Sequence, residues 1–157
     1  MTVYVFDSGP LILLFRHYYP ERFPSLWERF HEMVADERVT STREVRRELK
    51  EQEDALSGWC KNNGHVFVTP GAGELAVVRE IFEVKHFRAM IRKQERLQGK
   101  PVADPFVIAR AKFLGDACVV TSEKMTDNAA KIPNVCEKLE VGWTNLEGFM
   151  ERERWRF

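Results

Sequence analysis

The sequence predicts an α/β fold: a three-layer α/β/α sandwich around a mainly parallel sheet of about five strands, forming a single domain over residues 1–157. Short apolar runs rich in β-branched residues alternate along the whole chain with longer segments whose apolar residues recur at helical spacing. Turn residues mark the switches, and no repeat, linker or low-complexity tract interrupts the alternation.

The first run, Val3-Tyr4-Val5-Phe6, is wholly apolar, as a central parallel strand covered on both faces requires. Ser8 is a candidate cap for the helix that follows, with Pro10 in its first turn. Pro20 and Pro24 punctuate the next stretch, after which Leu26, Trp27, Phe30, Met33 and Val34 form a helical stripe. Arg38–Ser41 reads as a short strand and Thr42 as the start of a helix carrying Val45 and Leu49. A further short helix over about 53–62 ends at Asn63-Gly64, and Val66–Val68 is a third strand. Residues 73–98 read as one or two helices, broken by Gly99-Lys100-Pro101. A buried helix runs from Asp104 to Gly115, followed by a strand over Ala117–Thr121. Ile132–Leu139 reads as helix, Val141–Trp143 as a fifth strand and Leu146–Met150 as a final helical turn.

Bulk composition narrows the function. With 44% hydrophobic and 31% charged residues, the chain has the make-up of a soluble globular protein. No apolar run reaches the roughly 18 residues that a membrane-spanning helix needs. The N-terminus has neither the basic region nor the cleavage site of a signal peptide. Three cysteines without CxxC spacing indicate neither a disulfide framework nor a zinc site, so the expected location is the cytoplasm. Basic and acidic residues balance at 24 each, which weighs against a dedicated duplex-DNA binder. The segment Lys85–Lys100 is locally basic and reads either as a solvated helix face or as a rim for substrate phosphates. Three of the four tryptophans lie on apolar stripes and read as core rather than as base-stacking platforms.

Four acids stand where chemistry is expected. Asp7 closes the first strand, Glu48 lies on the helix after the second, Asp104 opens a helix and Glu123 follows the fourth strand. Each has a plain structural alternative: a turn for Asp7, a helix N-cap for Asp104 before Pro105, and solvated surface for Glu48 and Glu123. Together they gain force, because open parallel sheets gather ligands beyond the carboxyl ends of their strands. Clustered carboxylates raise one another's pKa unless a cation neutralises them, and an all-oxygen donor set suits Mg²⁺ or Mn²⁺. Such ions, singly or in pairs about 4 Å apart, support phosphodiester hydrolysis. The chain has no GxGxxG after its first strand and no GxxxxGK[ST], HExxH or GxSxG, so dinucleotide and P-loop readings lack their phosphate-holding loops and zinc-protease and serine-hydrolase readings their motifs. Gly9 stands where a haloacid-type phosphatase would need the second Asp of Asp-x-Asp.

Six stretches carry a resemblance: Tyr4-Val5-Phe6-Asp7-Ser8, Pro24-Ser25-Leu26-Trp27, Glu44-Val45-Arg46-Arg47-Glu48-Leu49, Asp104-Pro105-Phe106-Val107-Ile108-Ala109, Val120-Thr121-Ser122-Glu123-Lys124 and Ile132-Pro133-Asn134-Val135-Cys136. In this order they resemble PIN domains, the fold of VapC-type toxin ribonucleases, and more narrowly the DUF4411 group. The resemblance implies a metal-dependent endoribonuclease using Mg²⁺ or Mn²⁺, with Asp7, Glu48, Asp104 and Glu123 as catalytic and metal-holding acids. Glu48 is selected as the second acid because it precedes Leu49, with Glu44 as the alternative. Glu123 departs from the usual Asp of the fourth position, and Ser8 and Thr121 match hydroxyl positions that hydrogen-bond the acids. The resemblance further implies an RNA substrate, a toxin role with an antitoxin partner, and a homodimer. The alternative is a catalytically weak RNA-binding or regulatory module of the same fold.

Overall fold

The computed structural model describes residues 1–50, 54–90 and 103–157. The strands are β1 (Val3–Phe6), β2 (Val39–Thr42), β3 (Phe67–Val68), β4 (Ala117–Val120) and β5 (Gly142–Thr144). They form one sheet of order β3-β2-β1-β4-β5, every neighbouring pair parallel. β1 is therefore central, and its register sets Tyr4 opposite Val39 on one side and Cys118 on the other. This is the expected three-layer α/β/α sandwich. β2 and β5 sit one residue further along than the sequence suggests, and β3 starts one residue later because Gly64–Val66 is taken up by a 3₁₀ turn.

The helices are α1 (Ser8–His17), α2 (Pro24–Ala35), α3 (Arg43–Leu49), α4 (Asp54–Asn62), α5 (Ala72–Glu83), α6 (Asp104–Leu114), α7 (Ile132–Leu139) and α8 (Leu146–Arg152). On one face of the sheet Phe6 meets Phe30 of α2 and Phe149 of α8 edge-on, and Tyr4 meets Phe149 in the same way. Phe15 of α1 extends this layer against Trp27 and Trp59, both buried as their apolar stripes require. The opposite face is covered by α6, flanked by α5 and α7. Here Arg110 crosses the interface: its Nη1 donates to Glu74 of α5 at 3.2 Å and its Nε to Thr40 of β2 at 3.0 Å. Both Glu74 and Thr40 are buried, so Arg110 ties helix, helix and sheet together at a place where an apolar residue would leave the Glu74 carboxylate without this ion pair.

Local chemistry places the boundaries. Pro24 opens α2, and Thr42 caps α3 by accepting a hydrogen bond from Val45 N at 3.4 Å. Gly115 ends α6 at φ +85°, a conformation that other residues reach only with strain. α1 begins differently from expectation. Its cap is Asp7, not Ser8: the Asp7 carboxylate accepts from Ser8 N at 2.9 Å. Asp104 is likewise not a cap; Ala103 holds that position and Asp104 is the first helical residue, with Pro105 second. Of the expected helical stretch 73–98, α5 ends at Glu83 and Lys85–Arg88 forms a 3₁₀ turn; positions 91–100 lie outside the described residues. The break expected at Gly99-Lys100-Pro101 lies there too.

The last residues fold back onto the sheet. Glu153 accepts from Tyr4 Oη at 2.7 Å and from Arg38 Nη2 at 2.8 Å, while Trp155 packs on Phe149 and Phe157 lies under the Arg29 guanidinium. Burial works against the Glu153 carboxylate, but the hydrogen bonds from Arg38 and Tyr4 outweigh it and hold its pKa low. The Arg38–Glu153 pair is mostly shielded, with side chains 14% and 15% exposed. Glu153→Ala would leave Arg38 Nη2 and the Tyr4 hydroxyl without this acceptor, and is expected to cost about 2 kcal/mol of stability. Urea unfolding of the two proteins measures it; an unchanged midpoint would mean the tail adds nothing.

All three cysteines are free and buried, and burial pushes the Cys60 thiol up to about 11. Among the described residues, no helix is long and apolar enough to cross a membrane.

Candidate metal centre

The parallel register carries β1 and β4 to the same edge, where each ends in a polar residue. Asp7 N donates to Val120 O at 2.9 Å, extending the β1–β4 ladder by one step and fixing the Asp7 backbone. Its side chain then turns across the strand ends. One carboxylate oxygen accepts from Ser8 N and the other from Thr121 Oγ1 at 3.1 Å. Thr121 is fully buried, and its hydroxyl also accepts from Glu123 N at 3.1 Å. One hydroxyl thus fixes the Asp7 carboxylate and the backbone that presents Glu123. Of the two hydroxyl positions expected to steady the acids, Thr121 acts through its side chain, whereas Ser8 acts through its backbone N–H.

Asp104 reaches the same place from the other direction. α6 runs antiparallel to the strands, so its first residue lies at their carboxyl edge. Glu123 follows β4 in a loop held at both ends: one carboxylate oxygen accepts from Ile132 N at the start of α7, and Asn134 Nδ2 donates to Thr126 O at 2.7 Å. Carboxylate oxygens of Asp7, Asp104 and Glu123 all lie within 4.8 Å of one another. Asp7 is buried; Asp104 and Glu123 are half-buried.

The fourth expected acid stands nearby. Glu48 occupies the last turn of α3 and is half-buried, outside this group of three, but its charge acts on Asp7. Burial pushes the Asp7 pKa up to about 7; the negative charges of Glu48 and Glu123 add to the rise, while the Ser8 and Thr121 hydrogen bonds oppose it. Glu44, the alternative second acid, is buried one turn earlier. It pairs with Arg43 at 3.1 Å through one oxygen, and its other oxygen is buried without a hydrogen-bond partner among the described residues.

The chain is matched by the family model described as "Domain of unknown function (DUF4411)" over residues 4–157. It belongs to the DUF4411 family. No curated protein and no solved structure matches the DUF4411 chain.

The donor set of the DUF4411 chain fits a hard divalent cation. The three clustered donors are carboxylates, with no thiol or imidazole among them. Burial, together with the charges of Glu48 and Glu123, disfavours the ionised Asp7 carboxylate, and a bound cation would relieve that cost.

One further position was not legible beforehand. A Cβ on Gly9 would lie 2.7 Å from Ser122 Oγ and 3.0 Å from Ser122 Cβ. Gly9 lets α1 pack directly beneath the loop that presents Glu123; its backbone angles are ordinary, so the reason is contact and not conformation. Gly9→Ala is therefore expected to push Ser122 and Glu123 outward and weaken Mn²⁺ binding by about tenfold, a loss of the size seen when the supports of metal ligands are removed. Adding Ser122→Gly should restore the affinity, and calorimetric titration of the single and double variants measures both.

Proposed function

We propose that the DUF4411 chain is a PIN-type ribonuclease dependent on Mg²⁺ or Mn²⁺. The observation that carries this reading is the convergence of Asp7, Asp104 and Glu123 at the carboxyl edge of the parallel sheet. These are three of the acids that the resemblance to PIN domains marks out, and they come from segments of the chain far apart in sequence.

Asp7, Asp104 and Glu123 would hold the cation through their oxygens. When bound, it would supply an electrophile for the scissile phosphate and make a neighbouring water more acidic. The chain supplies the rest. Thr121 and the Ser8 N–H keep the Asp7 carboxylate aimed at the cluster. Glu48, in the last turn of α3, would take the proton of the attacking water. Ile132 N and the Asn134-anchored loop limit the movement of the longer Glu123 side chain. Lys85 and Arg88 are exposed and serve the phosphates of a bound strand, while Phe87 between them is buried. The biological role is that of a cytoplasmic toxin in a toxin–antitoxin pair, acting as a homodimer.

The test is cleavage of single-stranded and structured RNA with Mg²⁺ or Mn²⁺ and with EDTA. Metal-dependent cleavage supports the reading. Binding of RNA without cleavage in any metal would instead identify a regulatory module of the same fold.

A further inference from the structure

A groove of about 490 Å³ opens between the end of α1 and the start of α8, lined by Leu13, Tyr18, Ser122, Leu146 and Met150 together with Glu147. Its size is that of a small-molecule site, for which clefts of about 300–1,000 Å³ are usual. We propose that this groove holds an unpaired nucleobase of the RNA strand, with preference for a base that carries an exocyclic amino group. The proposal rests on the ribonuclease reading of the acidic cluster and names the part of the substrate that lies beside it.

The groove is continuous with the acids. Ser122 lines the groove and lies in the chain between Thr121, which hydrogen-bonds Asp7, and Glu123. A strand with its phosphate at the acids therefore has a base within reach of the groove. Its lining suits a planar ring. Leu13 and Met150, both half-buried, and buried Leu146 give apolar walls for the faces of a planar ring. Tyr18 is an aromatic held in place: its ring lies edge-on to Phe23 at 5.4 Å and its carbonyl accepts from Trp27 Nε1 at 2.6 Å. Stacking against such a ring tolerates any base.

Selection comes from the polar rim. Glu147 is exposed at the first turn of α8, and its carboxylate only accepts hydrogen bonds when ionised. It would therefore accept from the amino group of cytosine or adenine and meet the O4 of uracil with repulsion. Asn145 spends its Oδ1 on Gly148 N at 2.8 Å, which leaves its amide NH₂ as a donor to a ring nitrogen or carbonyl. A carboxylate also repels phosphate, so the backbone of the strand passes along the Ser122 side and the base enters from there.

The test uses the full chain in EDTA, with methyl NMR signals of Leu13, Leu146 and Met150 followed during titration with 5′-CMP and 5′-UMP. Saturable shifts at these methyls are expected, with CMP binding about tenfold more tightly than UMP. Met150→Trp should fill the groove and abolish the shifts. Glu147→Gln, an exposed substitution that leaves the core intact, should keep binding and remove the CMP preference. No shift with either nucleotide, equal affinity for both, or shifts that appear only as protein concentration rises would overturn the proposal, the last because a second copy would then cover the groove. The titration requires neither metal nor turnover. RNA cleavage can thus fail while the groove binds CMP, and the groove can fail while cleavage persists.

Discussion

Asp7→Asn is expected to lower metal-dependent RNA cleavage by about a thousandfold or more, a loss of about 4 kcal/mol in transition-state stabilisation. The substitution is nearly isosteric. The Asn oxygen still accepts from Ser8 N, and its NH₂ can face the Thr121 hydroxyl, which then acts as acceptor. What disappears is the negative charge that a divalent cation needs and that burial otherwise disfavours. The folded protein should therefore survive, and at neutral pH the metal-free variant should be at least as stable as the parent. Cleavage by gel assay and thermal unfolding of the same preparations check the two halves together. An inactive but unfolded variant would not match, and neither would one that keeps its activity.

The second large effect is on stability as a function of pH. Burial, with the charges of Glu48 and Glu123, raises Asp7 from an ordinary value of 3.8 to about 7 in the folded protein. Between these values the folded state binds the proton more tightly than the unfolded chain does. Without metal, stability is then highest below pH 4 as far as this group is concerned and declines as pH rises towards 7, by at most about 4 kcal/mol. A cation reverses the trend, since it competes with the proton for the same oxygens and binds better as pH rises. The unfolding midpoint in EDTA should fall between pH 5 and pH 8 more steeply than that of Asp7→Asn. The added stability from Mn²⁺ should grow over the same interval and be largely absent from the variant. Parallel curves for the two proteins in EDTA would show that Asp7 is not the group responsible.

Much of this site was legible in the chain because it lies at junctions. A fully apolar run such as Val3–Phe6 is buried on both faces, so the acid after it can stand only at the strand's exit. Asp104 before Pro105 marks a helix start, and antiparallel helix placement brings that start to the same edge. The details that escaped are contacts between distant segments. Whether Asp7 or Ser8 caps α1 depends on where the β1–β4 ladder ends, which is a tertiary matter. α3 stops at Leu49, so Glu48 lies in its last turn, and the burial of Glu44 in the first turn depends on packing that helical spacing alone does not show. The need for glycine at position 9 is invisible without Ser122 beside it. Nothing in the spacing of α6 singles out Arg110, and only the approach of Glu74 and Thr40 shows why it is held inside. The docking of Glu153 on Tyr4 and Arg38 joins the two ends of the chain and has no local signal at all.

Asp7, Asp104 and Glu123 are expected to hold one divalent cation together. Crystals soaked in MnCl₂ and measured near the manganese absorption edge address it directly. An anomalous peak is expected in contact with carboxylate oxygens of all three residues, and it should be lost in Asp104→Asn. An empty cluster at saturating Mn²⁺, or a peak elsewhere on the protein, would contradict it.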